Sequence, residues 1–356
     1  MLFAVAIYTQ IIQSRGSIES FIVGFGFIIP LALYIPFYLL EELDIQNKAL
    51  RLSLSTLPYV VFFRCMEAMF KTPSNIVVEV AMGNYVTYYT TLMTFDWSTK
   101  TLNRRRITAK ELLSAIGILI LAFVRISLLL SFMMHFDFAP FKSPVKLDDY
   151  HLSLDLLSPA HLGNTYFLGL LTYSYLSMGL SMTAFSEQAK GYYVEPIFLN
   201  PMIKSRSCSE FWGERWNLMI HRLLKHGIMR PAKKYFSTLV SVFITFLFSG
   251  LAHEFTWAIV FYHRTGDPCA TCLDCEHCFH HKPMKVVAFF LYLGMCMMLE
   301  RPLAPYVGFL KSWPSFIVAQ LVLLSGLPVS HWYTGDWALS GKFADFAQAV
   351  LFVRKM

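Results

Sequence analysis

Within the apolar run 235–262 the chain reads Phe248-Ser249-Gly250-Leu251-Ala252-His253-Glu254. An imidazole and a carboxylate stand side by side where a lipid-embedded helix usually carries aliphatic residues. Ionisable groups are costly in hydrocarbon, so those that occur there face a cavity or a partner. Histidine titrates near neutral pH and suits general-base work. A neutral imidazole within hydrogen-bond reach of an alcohol takes its proton as the oxygen attacks, for about 10²–10⁴-fold in rate. Helical spacing sets Phe246, Ser249, Gly250, His253 and Trp257 on one face. Ser249 and Gly250 are small, so a substrate chain or another helix can approach His253 closely. Glu254 lies about 100° further round and reaches the imidazole only by a bent path or through a partner, which gives it a supporting role. The competing reading of His253 is a polar residue satisfied between packed helices.

A second group of chemistry-bearing residues occupies 207–225. Ser207 and Glu210 have capping-box spacing, so a helix is expected to start there. Trp212, Trp216, Met219, Ile220 and Leu223 recur on one apolar face, with Glu210, Glu214, Asn217, His221 and Lys225 opposite. The pattern predicts an amphipathic helix with an aromatic face, suited to a membrane surface. Taken alone, Asn217 reads as a solvated polar-face residue. Cys269, Cys272, Cys275 and Cys278 fall at every third position, with His277, His280 and His281 beside them. Zinc-like spacing supports a metal site. An oxidising compartment would favour two disulfides instead, the preferred reading, and free thiols are a third. Either cross-link staples a loop. Cys65, Cys208 and Cys296 read as packing residues.

The elements that must carry these residues are membrane helices. Of the 356 residues 56% are hydrophobic and 15% charged, and the mean hydropathy is +0.49. Soluble domains hold about 45–50% apolar and about 25% charged residues. Apolar runs at 1–13, 21–40, 56–70, 75–95, 112–134, 162–185, 236–262, 284–299, 314–332 and 343–353 give roughly eight to ten membrane elements of an all-α polytopic membrane protein. Run 1–13 lacks a basic n-region and a cleavage site, so it reads as a short first membrane segment. Run 56–70 carries Arg64 and Glu67 at i,i+3 spacing and reads as an interfacial or partly buried helix. Pro30 and Pro36 are expected kinks. One integral membrane domain over 1–356 is expected, with a motif core at 195–262. No repeat or linker divides the chain.

The net charge of +7 is not a nucleic-acid signature, because the basic residues cluster in loops. Segment 186–235 holds nine Lys/Arg against four Glu, and 96–111 is also basic. Both are expected on the cytoplasmic side. Loops 135–161 and 263–283, the latter cysteine-rich, then lie on the far side. Lys225, Arg230, Lys233 and Lys234 either follow from this topology or attract phosphates.

Phe211-Trp212-Gly213-Glu214-Arg215-Trp216-Asn217, followed by Ser249-Gly250-Leu251-Ala252-His253-Glu254, resembles the paired signature of the membrane-bound O-acyltransferase superfamily. The Trp-Gly-x-Arg-Trp-Asn form is similar to the wax synthase-type branch, which includes long-chain-alcohol, sterol and terpenoid acyltransferases. Glu195-Pro196-Ile197-Phe198-Leu199-Asn200-Pro201 and Arg230-Pro231 are similar in kind. The four-cysteine loop is not part of the pattern. The resemblance implies an intramembrane reaction chamber and acyl transfer from acyl-CoA to a hydroxyl. It assigns catalysis to His253 and Asn217. Asn217 would hold the thioester carbonyl, the pantetheine amides or His253. Trp212, Arg215 and Trp216 would line the acyl-CoA entry, with Ser249, Gly250 and Trp257 beside the substrate. No bound cofactor is expected, only acyl-CoA as co-substrate, with a lipid alcohol and membrane lipids as partners. The expectation is a multi-pass endoplasmic-reticulum enzyme that makes wax esters. A sterol or diacylglycerol acceptor is the rival, and a transporter using Glu79, Arg125 and His253 is the alternative of another class.

Overall fold

The computed structural model describes residues 1–73, 76–98, 103–267 and 279–349. The main helices are α1 (Ile18–Leu43), α2 (Lys48–Met69), α3 (Met82–Thr90), α4 (Ala109–His135), α5 (Pro159–Ala189), α6 (Leu218–Leu224), α7 (Thr238–Val260), α8 (Lys285–Val307), α9 (Ser315–Gly326), α10 (His331–Leu339) and α11 (Lys342–Ala349). Among the described residues there is no strand, only isolated bridge residues such as the antiparallel pair Arg106 with Tyr192. The protein is an all-α, multi-pass membrane protein.

Among the described residues three helices, α1, α4 and α7, are long and apolar enough to cross a membrane. Two bent pairs, Lys285–Glu300 with Pro302–Leu310 and Ser315–Val329 with His331–Leu339, raise this to five. Among the described residues fewer helices pass this length and composition test than the roughly eight to ten membrane elements expected, which included short and interfacial ones. Run 75–95 is not one helix: a 3₁₀ turn at Ile76–Glu79 precedes the nine-residue α3. Leu2–Ile12 is apolar but short. Long α5 hides polar residues inside the fold, among them His161, Asn164, Thr165, Ser174 and Ser177. The proline expectation is met in displaced form. Helix α1 runs through Pro30 and Pro36, and its distortion is a π turn at Gly24–Ile28, where the Pro30 ring meets the preceding turn. Another π turn, Lys225–Met229, precedes Pro231.

The chain forms two compact units, Met1–Asn103 with Met219–Gly294 and Arg104–Leu218 with Met295–Met356. In the first, α1 and α7 pack on α2. Helix α2 buries Arg64 and Glu67 as a 2.8 Å ion pair, with Arg64 over the Tyr88 ring and Tyr88 donating to Glu67. The i,i+3 spacing read from the sequence brings the two charges together. Gly227 packs directly on α2, because a Cβ there would lie 2.8 Å from the Phe63 carbonyl oxygen. Arg51 ties down the C-terminus of α7, donating to the carbonyls of Val260 (3.2 Å) and Tyr262 (2.7 Å). Glu79, the carboxylate of the expected third span, is paired with Arg15.

In the second unit α4 and α5 form an antiparallel hairpin. At one end Arg104 and Arg106 cover Tyr192, and Arg105 covers Tyr193 while pairing with Glu111. At the other end the Asn164 amide clamps both the N–H and the carbonyl of Phe141. The start of the basic 186–235 segment thus meets the basic 104–107 segment, as the expected span parity requires. His331, Trp332 and Asp336 are all buried in α10. His331 bonds the Asp149 carbonyl.

Candidate active site

Helix α7 starts at its cap Ser237, whose hydroxyl accepts from Val240 N–H, and carries His253 four turns in. The His253 Nδ1 lies 2.7 Å from the Ser249 carbonyl oxygen. A carbonyl only accepts, so Nδ1 carries the proton and Nε2 carries the lone pair. This is the tautomer that a general base needs. The imidazole is half-buried and stacks on Phe290, with ring centroids 4.5 Å apart and planes 24° apart. Trp257, one turn on, is fully buried with its ring 6.4 Å from the imidazole.

The face of α7 that looks roomy in sequence is occupied by α8. A Cβ on Gly250 would lie 2.9 Å from the Val287 Cα and 3.2 Å from the Phe290 Cβ. A Cβ on Gly294 would lie 3.0 Å from the Phe246 Cβ. Phe246, Gly250 and His253 thus mesh with Gly294, Val287 and Phe290, each glycine opposite a bulky side chain. Of the two occupants considered for the small residues, another helix is the one present.

Glu254 turns away from the imidazole. One carboxylate oxygen accepts from His281 Nε2 and from Met284 N–H, both at 2.7 Å. It thereby anchors the N-terminal end of α8, where a negative charge also complements the helix dipole. The sequence expected Glu254 to reach the imidazole by a bent path or through a partner, whereas these bonds run to His281 and Met284 instead.

The motif segment is not one amphipathic helix. Ser207 does cap a helix, accepting from Glu210 N–H at 3.0 Å. After one turn the chain enters a π turn at Phe211–Arg215, Trp216 is extended, and Asn217 has φ +38° before α6 begins. Asparagine tolerates this left-handed region better than most residues. The apolar spacing matched helical periodicity, but backbone pairing overrides it. Leu199 N–H donates to the Arg215 carbonyl (3.0 Å) and Leu218 N–H to the Ile197 carbonyl (2.8 Å), which pins the 197–199 segment against the motif.

Trp216 lies among Phe211, Trp212, Tyr173 and Phe198, with ring centroids 5.4, 5.4, 5.4 and 5.8 Å away. Arg215 clamps Glu210 through Nε (2.7 Å) and Nη2 (2.5 Å) and the Leu199 carbonyl through Nη1 (3.0 Å). Glu210 also accepts from Arg206 N–H. These groups are already engaged in holding the motif's shape. Asn217 belongs to one compact unit and His253 to the other.

Sequence reasoning missed Phe290, Tyr173 and Phe198. Their signal is aromatic packing between elements, which single-helix periodicity does not carry. It also missed His226. That side chain bonds the Thr72 carbonyl through Nδ1 (2.9 Å) with Arg230 3.0 Å away, and Thr72 donates back to the His226 carbonyl. Burial, with the nearby charges of Arg230, Arg64 and Lys225, pushes His226 down to about 4, although the Thr72 bond opposes this. Burial and the charges of Lys225 and Arg222 push His221 down to about 4. Arg230 and Lys234 donate to the carbonyls of Pro73 and Phe70. Burial raises the Cys208 thiol to about 11. Cys269, Cys272, Cys275 and Cys278 lie outside the described residues. No cluster of three or more metal-ligating side chains occurs among the described residues.

Residues 194–273 match the model of the membrane bound O-acyl transferase family. A probable long-chain-alcohol O-fatty-acyltransferase 6 of Arabidopsis thaliana is 28% identical over 190 residues, covering 50% of this chain and 49% of that protein. A probable long-chain-alcohol O-fatty-acyltransferase 7 is 30% identical over 132 residues, covering 35% and 33%. An acyl-CoA–sterol O-acyltransferase 1 is 28% identical over 146 residues, covering 39% and 37%, and both are also from Arabidopsis thaliana. The chain thus spans at most about half the length of these relatives. The motif pair, the matched segment and these relatives agree: the chain is similar to the membrane-bound O-acyltransferase superfamily, and within it to the wax synthase-type branch.

Proposed function

We propose that the protein is an acyl-CoA-dependent O-acyltransferase that esterifies a long-chain alcohol in the endoplasmic-reticulum membrane, forming a wax ester. The carrying observation is the His253 tautomer, with Nδ1 committed to the Ser249 carbonyl and the ring set in an apolar helix. In this reading Nε2 takes the alcohol proton as the oxygen attacks the thioester carbonyl. The new C–O bond forms, the C–S bond breaks, and the imidazolium returns its proton to the departing CoA thiolate. The proton balance closes, so acyl-CoA is the co-substrate and no bound cofactor is called on. Asn217 is the second catalytic residue proposed, on the strength of the motif. Trp212 and Trp216 are proposed to line the acyl-CoA entry. Arg215 serves there through the Glu210 clamp that shapes the segment. Residues 1–356 act as one acyltransferase domain.

The sterol acyltransferase among the relatives favours a sterol as the second acceptor to test. The experiment is expression of the full chain in cells lacking neutral-lipid acyltransferases, fed long-chain alcohol, sterol or diacylglycerol. The expected product is a wax ester, lost in His253→Ala at unchanged protein level. Ester synthesis that survives this substitution would sink the general-base assignment.

A further inference from the structure

We propose that the ring face of Phe290 stabilises the positive charge that develops on His253 as it takes the substrate proton. The inference rests on the reading of His253 as the base. A histidine base needs something that favours its imidazolium in the transition state, and enzymes commonly use a carboxylate on the second ring nitrogen. Here that nitrogen faces a neutral carbonyl, Ser249 O at 2.7 Å. The adjacent carboxylate, Glu254, is held by His281 and Met284 N–H. What covers the imidazole is a benzene ring in near-parallel contact, 4.5 Å between centroids. A cation within about 6 Å of a ring face is attracted by the ring's negative face. A neutral imidazole gains far less, so the contact is worth more in the transition state than in the ground state, which raises turnover. The geometry is built in. Gly250 admits the α8 backbone at Val287 and Phe290, and Glu254 fixes the start of the helix that presents the ring.

Phe290 is thus a positioning residue with an electronic role, and that role can be separated from its shape. Phenylalanines carrying one, two or three ring fluorines are introduced at position 290 of the full chain in native membranes. Fluorine drains the ring face and barely changes ring size. Turnover is measured with palmitoyl-CoA and whichever of hexadecanol or cholesterol the unaltered chain esterifies. The expected result is a stepwise fall in kcat to about 2- to 30-fold below the unaltered chain, the range of a cation–ring contact, with KM nearly constant. Phe290→Trp keeps activity and Phe290→Leu loses at least as much as the most fluorinated ring. A flat kcat series, or an effect confined to KM, overturns the proposal. His253→Ala is assayed in parallel: activity there overturns the base assignment and this inference with it, whereas inactivity with a flat fluorine series overturns the Phe290 role alone.

Discussion

His253 and Glu254 are neighbours in sequence with separate tasks. The imidazole is set by a carbonyl one turn back and by Phe290, while the carboxylate is occupied by His281 and the start of α8. Glu254→Gln should therefore lower stability more than turnover. Loss of charge-assisted bonds should cost about 1.5–3 kcal/mol, read as a lower unfolding temperature in detergent, with kcat per folded molecule within about threefold of the unaltered chain. A collapse of kcat at unchanged stability would contradict the tether role. His253 was legible in the sequence because an ionisable group inside an apolar run is conspicuous. Phe290 was not, because nothing in an apolar run marks which phenylalanine meets which partner. That register is decided by Gly250 and Gly294 opposite Phe290 and Phe246.

At the scale of elements, the break at Trp216–Asn217 invites a test of what Asn217 does. Its φ of +38° suits glycine as well as asparagine. If the residue serves only the backbone, Asn217→Gly should keep activity and Asn217→Ala should lose stability. The catalytic assignment instead predicts that Asn217→Gly loses more than tenfold in kcat while unfolding at about the same temperature. The expected long amphipathic helix failed for a physical reason. Apolar spacing reports which residues want burial, but the 197–199 segment competes for the motif's backbone groups and wins them. The α7–α8 mesh gives a second test. Gly250→Leu places a branched chain where a single Cβ already meets Val287, so it should separate the helices and abolish activity.

At the scale of the molecule, the helical class and the membrane setting were legible from composition. The number of spans was not, since short turns at Ile76–Glu79 and the buried polar face of α5 are invisible to a hydropathy count. Stability should depend on pH through His226 and His221. Both lie outside the spans, and both are depressed to about 4 from the usual value near 6.5. Between those values the unfolded chain binds more protons than the folded one, so stability falls as pH drops from 6.5 toward 4. Unfolding temperature should decline between pH 7.5 and pH 5, and His226→Gln should flatten the slope. The α4–α5 hairpin predicts sidedness. Cysteines placed at Lys110 and Ser186 should label from one side of the membrane and one at Tyr150 from the other.

The Glu254–His281 bond gives the proposed base an address outside its own helix. One peptide bond separates the residue proposed to handle the substrate proton from the residue that grips His281, near the end of the cysteine-rich loop 263–283. A perturbation of that loop is therefore mechanically adjacent to the chemistry. A spectroscopic probe attached near His281 would serve as a listening post, reporting strain in α7 when acyl-CoA and an alcohol are added.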